Sequence, residues 1–325
     1  MYSFEQILRI IEDAVNRLTF DGQPQSLFEP IKYTLSCGGK RIRPAFMLMA
    51  CELYGALAVK ALTPALGMEV FHNFTLLHDD LMDQADVRRN RPTVHLKWDA
   101  NTAILSGDAM LISAYGLIGK TPEPYLAKIL PLFTQTALEI CEGQQFDMEF
   151  ELRNNVSEDE YIEMIRLKTA VLLACCMKSG AIIGDAPEAE AEKMYVIGQN
   201  LGLAFQLQDD LLDVYGDQQT FGKKIGGDIL CNKKTYLLIN ALKLADKEQL
   251  ATLKRYYGTA TNGDEKEKIA AVTAIYDALN IRKLTEERII HYYNKAMSEL
   301  ERLNVADERL EMLRDASRRL VQRQS

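Results

Sequence analysis

Apolar residues recur along this chain with a helical period and almost nowhere with the alternation of a strand. Over residues 3–18 they fall at Phe4, Ile7, Leu8, Ile11, Val15 and Leu18, one face of a helix. A second helix is predicted from Ser26 to Ser36, closed by Cys37-Gly38-Gly39, where glycine can take a left-handed cap. Pro44 suits the first turn of the next, which runs through Phe46, Met47 and Leu48. The same period predicts helices over about 60–83, 98–118, 123–151 and 158–183, the last capped by Ser157 with Glu160 three places on. Another spans about 189–215; Gly216 to Asp228 reads as a loop, and helices resume over about 232–256. A turn is expected at Thr261-Asn262-Gly263-Asp264, then charged amphipathic helices to Val321. There is no useful strand pattern, no fixed-period repeat and no linker long enough to part domains. The pattern predicts an all-α fold, a single large helical bundle over residues 1–325 around a central cavity.

Two helical runs end in the same acidic word, Asp79-Asp80-Leu81-Met82-Asp83 and Asp209-Asp210-Leu211-Leu212-Asp213. Residues i and i+4 stack on a helix, so Asp79 lies over Asp83 and Asp209 over Asp213. Like charges at that spacing repel, and the chain accepts the cost twice. Mg²⁺ would remove it, because a hard cation takes carboxylate oxygens and keeps positions open for substrate phosphates. Two such words, expected to face one cavity, point to a Mg²⁺-dependent diphosphate enzyme. One alone would read equally well as a solvated acidic helix end.

Composition narrows the picture. With 47% apolar and 26% charged residues, the 325-residue chain can bury a large core. Thirty-eight basic against forty-six acidic residues leave a formal charge of −8, which argues against a nucleic-acid binder. There is no membrane-length apolar stretch and no secretory pattern at Met1-Tyr2-Ser3-Phe4-Glu5. The six cysteines lack metal-type spacing and read as thiols in a reducing cytoplasm.

Basic residues gather near the acidic words. Gly38-Gly39-Lys40-Arg41-Ile42-Arg43-Pro44 sets three cations between a glycine turn and a helix start, a combination that suits a diphosphate. Arg88-Arg89-Asn90-Arg91-Pro92 follows the first acidic word, and arginine forks match phosphate oxygens. Salt bridging to Asp83 and Asp86 is the lesser alternative. Lys168-Thr169, Lys223-Lys224 and Lys233-Lys234-Thr235 are weak signals one by one. His72, Gln144 and Gln206 are polar residues inside apolar helices, where each must find a hydrogen-bond partner or a ligand.

Together these segments resemble the trans-isoprenyl diphosphate synthases, the polyprenyl synthetase family. The resemblance spans roughly residues 35–240, through GGKRIRP at 38–44, HDDLMDQADVRRNRPTVH at 78–95, EGQQFD at 142–147, LKT at 167–169, FQLQDDLLD at 205–213 and GKKIGGDILCNKKT at 222–235. It implies that Asp79 and Asp83 ligate two Mg²⁺ ions with Asp80 in support. Asp209 would hold a third with Asp210 and Asp213 nearby, Mn²⁺ being an alternative metal. It implies an allylic diphosphate gripped by Arg88, Lys168, Thr169, Gln206, Lys223 and Lys233. Isopentenyl diphosphate would be held without metal by Lys40, Arg43, His72 and Arg89, with Phe205 against its hydrocarbon end. Asn90 departs from the glycine often found there in the family, which bears on the turn that presents Arg89. The family also implies a soluble cytoplasmic homodimer.

The implied reaction is head-to-tail condensation. Leaving diphosphate is neutralised by Mg²⁺, Arg and Lys; the allylic cation is attacked by the isopentenyl double bond; proton loss to the departing diphosphate gives a longer allylic chain. Product length should be steric. Phe74 lies five residues before Asp79, Phe71 eight and the small Thr75 four. In the family an aromatic at the fifth place limits the tail, and two adjacent aromatics would favour fifteen carbons. Phe74 with Thr75 therefore suggests the twenty-carbon geranylgeranyl diphosphate, with farnesyl diphosphate as the alternative. A terpene cyclase would not need GGKRIRP or a second DDxxD. A non-catalytic subunit of a heteromeric prenyltransferase would usually lack one acidic word. An EF-hand fails for want of its central glycine and final glutamate.

Overall fold

The structure, a computed structural model, describes residues 2–216, 225–258 and 264–321. The helices are α1 Phe4–Asn16, α2 Gln25–Ser36, α3 Ile42–Leu53, α4 Leu62–Met82, α5 Ala100–Ile118, α6 Leu126–Leu152, α7 Glu158–Ile165 and α8 Val171–Ile183. There follow α9 Glu188–Tyr215, α10 Tyr236–Leu244, α11 Lys247–Gly258, α12 Glu265–Ala278, α13 Ile281–Leu300 and α14 Asp307–Val321. The only strands among the described residues are β1 Val87–Arg88 and β2 Arg91–Pro92, an antiparallel pair. The all-α expectation holds.

Local chemistry accounts for many boundaries. Ser3 and Gln6 form a capping box at the start of α1, and Ser157 with Glu160 does the same for α7. Asp99 accepts the Thr102 N–H and starts α5, so the helix expected from about residue 98 begins after a separate turn, Val94–Lys97. The helix expected over 158–183 is interrupted by a π turn at Arg166–Ala170. The stretch expected as helix over 232–256 divides where Ala245 is extended and Asp246 accepts the N–H groups of Glu248 and Gln249.

The chain packs as two compact units. The first comprises Met1–Gln135, Leu172–Val196 and Arg302–Ala316; the second comprises Thr136–Val171, Ile197–Glu301 and Ser317–Ser325. In the first, α3 is buried on every side from Pro44 to Leu53, as a helix apolar all round must be. In the second, Leu201, Leu203, Ala204 and Leu207 of α9 are buried, as are Tyr236–Ala241 of α10. Among the described residues no helix is long and apolar enough to cross a membrane.

Candidate active site

In the first unit, α4 is the organising element. It carries Glu69, Phe71, His72, Asn73, Phe74 and Thr75 along its length and delivers Asp79, Asp80 and Asp83 at its C-terminal end, with Asp83 as the cap. That end already bears partial negative charge from the helix dipole, so three carboxylates there carry a second penalty beyond mutual repulsion. Arg88 offsets part of it. Its Nε donates to Asp80 Oδ1 at 2.8 Å, and its Nη2 approaches Asp79 Oδ2 at 3.5 Å. Asp80 is buried, and burial raises its pKa while Arg88 opposes the rise. Asp79 is partly accessible and Asp83 exposed.

Arg88 and Arg89 sit on a two-residue hairpin whose register pairs Val87 with Pro92 and Arg88 with Arg91. Arg89 and Asn90 have φ of 52° and 60°, both left-handed, the pattern of a type I′ turn. Asparagine tolerates that region better than most side chains, which explains how Asn90 stands where the family often has glycine. Tyr33 Oη donates to Pro92 O at 2.8 Å, tying the hairpin to α2.

The glycine turn is fixed by a buried network that the sequence did not reveal. Gly39 has φ +150°, and a Cβ there would stand 2.9 Å from Arg89 Nη2. Arg89 Nη1 donates to Gly38 O and, at 3.4 Å, to Asn73 Oδ1. Arg41, itself left-handed at φ 47°, donates to Glu12 at 2.9 Å, Glu69 at 2.7 Å and Leu35 O at 3.0 Å. Asn73 Nδ2 donates to Glu69 Oε1 at 3.0 Å, closing the network. Arg43 Nη1 lies 3.1 Å from His72 Nε2. Burial, then the cations Arg43 and Arg89, hold His72 well below the usual imidazole pKa, so it is neutral and accepts from Arg43. Lys40 is exposed.

Phe71 and Phe74 belong to an aromatic stack. Ring centroids are 4.8 Å apart for Phe74 and His78, 5.5 Å for Phe71 and Phe74, and 5.0 Å for Phe71 and Phe133. Thr75 Oγ1 donates to His72 O at 2.8 Å.

In the second unit the same acidic word meets different partners. Asp210 accepts from Gln206 Nε2 at 2.9 Å and from the Tyr161 hydroxyl. Thr169 Oγ1 donates to Gln206 Oε1 at 2.9 Å, so Thr169, Gln206, Asp210 and Tyr161 form one chain of hydrogen bonds. Burial, then Asp228, push the Asp210 carboxyl well above its ordinary pKa. Asp213 Oδ2 accepts the Asp228 N–H at 3.0 Å; Asp209 and Phe205 are half-buried. Lys168 and Lys233 both donate to Asp147. Gly143 lets α6 approach the π turn: a Cβ there would lie 2.3 Å from Lys168 N. Lys223 lies outside the described residues.

Among the described residues no three His, Cys, Asp or Glu side chains close on one point as a ready-made cage. Mg²⁺ fits this donor set all the same, because it keeps waters, takes phosphate oxygens and needs only one or two carboxylates from the protein. The residues that sequence reasoning missed are Glu69, Asn73, Asp147 and Tyr161; Arg41 was counted among the cations of the glycine turn, and its ion pairs to Glu12 and Glu69 were not foreseen. Of the missed residues only Asp147 had a signal, since it closes the quoted segment EGQQFD.

Known proteins point the same way. The sequence model described as Polyprenyl synthetase matches residues 24–276. A geranylgeranyl diphosphate synthase of Methanosarcina mazei is 36% identical over 308 residues, covering 94% of this chain and 89% of that one. A crystal structure of a geranylgeranyl pyrophosphate synthase matches with a TM-score of 0.95 at 44% identity, covering 100% of both chains. A polyprenyl synthase from Caulobacter crescentus, crystallised with calcium and isoprenyl diphosphate, matches at 0.89 and 29% identity over 99% of this chain and 98% of that one. The chain belongs to the polyprenyl synthetase family and is a prenyltransferase that carries out trans-prenyl condensation.

Proposed function

We propose that this prenyltransferase condenses isopentenyl diphosphate with allylic diphosphates up to geranylgeranyl diphosphate, using Mg²⁺, and that its residues form one synthase domain. The observation that carries the product length is Phe74, five residues before Asp79 and stacked between His78 and Phe71 with the small Thr75 beside it. The name of the Methanosarcina relative supports the same length. Incubating the purified chain with isopentenyl diphosphate and five-, ten- or fifteen-carbon starters tests it. A twenty-carbon product is expected; a fifteen-carbon end product would make it a farnesyl diphosphate synthase. Phe74→Ala should shift the spectrum to longer chains.

The family uses divalent metal. Asp79, Asp83 and Asp209 would hold Mg²⁺, three ions in all, and the metal would neutralise charge growing on the leaving diphosphate. Asp80, Asp210 and Asp213 would act beside them. Arg88, Lys168 and Lys233 would grip the allylic diphosphate, with Lys223 as the sequence implies. Thr169 and Gln206 would offer it neutral dipoles. Lys40, Arg43, His72 and Arg89 would hold isopentenyl diphosphate, which needs no ionisation and so no metal, with Phe205 against its tail. In this scheme neutral His72 keeps the Arg43 guanidinium aimed and leaves its charge undiluted.

A homodimer is supported by α5, which exposes Ile104, Leu105 and, at 72%, Ile112. Sedimentation at micromolar concentration should give twice the chain mass. A cytoplasmic site is consistent with the absence, among the described residues, of a membrane-crossing helix.

A further inference from the structure

Asp147 lies on α6 with 8% of its surface exposed, and two lysines converge on the same oxygen, Oδ2. Lys168 Nζ is at 2.7 Å, from the π turn; Lys233 Nζ is at 3.1 Å, from the segment before α10. Lys233 also meets Glu151, one turn further along α6, at 2.7 Å. Two ammonium groups sharing one oxygen stand close enough to repel strongly in a half-buried setting. They stay together because a negative charge sits between them. Burial would push the Asp147 carboxyl up, but the two lysines outweigh it and hold the pKa below the ordinary range.

We propose that Asp147 is a positioning residue for the allylic diphosphate: it holds Lys168 and Lys233 side by side before substrate arrives. This rests on the assignment of those lysines to the allylic diphosphate above. Each ammonium has three donors, so each can keep its bond to Asp147 and still give another to a phosphate oxygen. Preset cations need not reorganise as charge builds on the leaving group, and that is where such groups act most strongly. Glu151 cannot substitute for Asp147, because its carboxylate meets Lys233 and makes no bond to Lys168.

The test is steady-state kinetics of the full chain with geranyl diphosphate and isopentenyl diphosphate varied separately. Asp147→Asn should raise the allylic KM and lower kcat, costing about ten- to a hundredfold in kcat/KM, as loss of a charged orienting partner does. The isopentenyl KM should stay within about twofold. Asp147→Glu, which keeps the charge but moves it by one methylene, should recover most of the loss and leave a residual rise of about threefold in the allylic KM alone. Unchanged allylic kinetics in Asp147→Asn, or an equal rise in both KM values, would overturn the proposal. If Asp147→Asn does not fold, Asp147→Glu decides: a selective rise in allylic KM supports the role and none overturns it. Lys168→Gln separates this proposal from its premise. If that variant leaves allylic kinetics unchanged, the lysine assignment itself has failed. If it raises the allylic KM while Asp147→Asn does not, only the positioning role is lost.

Discussion

The two acidic words are spelled almost alike, yet their buried middle residues are neutralised in opposite ways. Asp80 is answered by a cation, Arg88, through a guanidinium at 2.8 Å. Asp210 is answered by neutral donors, the Tyr161 hydroxyl and the Gln206 amide. Both are 5% exposed, so burial alone does not distinguish them. The partners do: charge cancels charge in the first unit, and hydrogen bonds stand in for water in the second. The outer aspartates, Asp79 and Asp209, are more accessible in both. Repetition of a motif thus fixes which carboxylate stays accessible, while the surrounding helices decide how the buried one is carried.

The largest expected effect falls on what the words share. Asp79→Asn and Asp209→Asn should each lower kcat by roughly a thousandfold, the scale of losing a group that stabilises developing charge. If one word tolerates the change and the other does not, the symmetry is broken and only one holds metal in the rate-limiting step.

The next effect falls on what differs. Asp80→Asn leaves Arg88 without its carboxylate in a mostly buried setting. Breaking a buried pair costs about 3–5 kcal/mol, and with the Arg88 side chain 26% exposed, solvent screening brings this to about 2 kcal/mol. Asp210→Asn can keep acceptance from Tyr161 or Gln206 and should cost about 1 kcal/mol or less. Urea denaturation of the two variants measures the contrast; equal losses would remove it.

A carboxylate outside both words supplies the smallest effect. The backbone N–H of Ser157, then Arg153, hold Glu160 down to about 2, against an ordinary 4.5. Its folded pKa is depressed, so its contribution is complete above pH 4.5 and is lost as pH falls toward about 2. Glu160→Gln should flatten that part of the stability curve by well under about 1 kcal/mol, since the side chain is 40% exposed and solvent screens its pairs. Thermal melts from pH 5 to about 2.5 would show it.

Much of this was legible in the chain. Helices α1, α2 and α9 lie where the apolar period puts them, because a helical stripe needs only local sequence. The break at Ala245 and Asp246 was written as an N-cap inside a helical pattern and passed unnoticed. The hairpin that aims Arg88 and Arg89 has two residues to a strand, too few for any alternation. The π turn at Arg166–Ala170 has no periodic signal either, and accompanies the close approach of Gly143 to Lys168. Tyr161 and Glu69 looked like ordinary helix residues, since their importance lies in partners 49 and 28 residues away.

The central claim is that the acidic words serve the allylic diphosphate through metal, whereas the basic turn serves isopentenyl diphosphate without it. Calorimetric titration of each ligand, with a non-ionisable thio analogue as the allylic one, in Mg²⁺ and again in EDTA, tests it most directly. Chelation should abolish allylic binding and leave isopentenyl binding nearly unchanged. Allylic binding that survives EDTA at full strength would contradict the account.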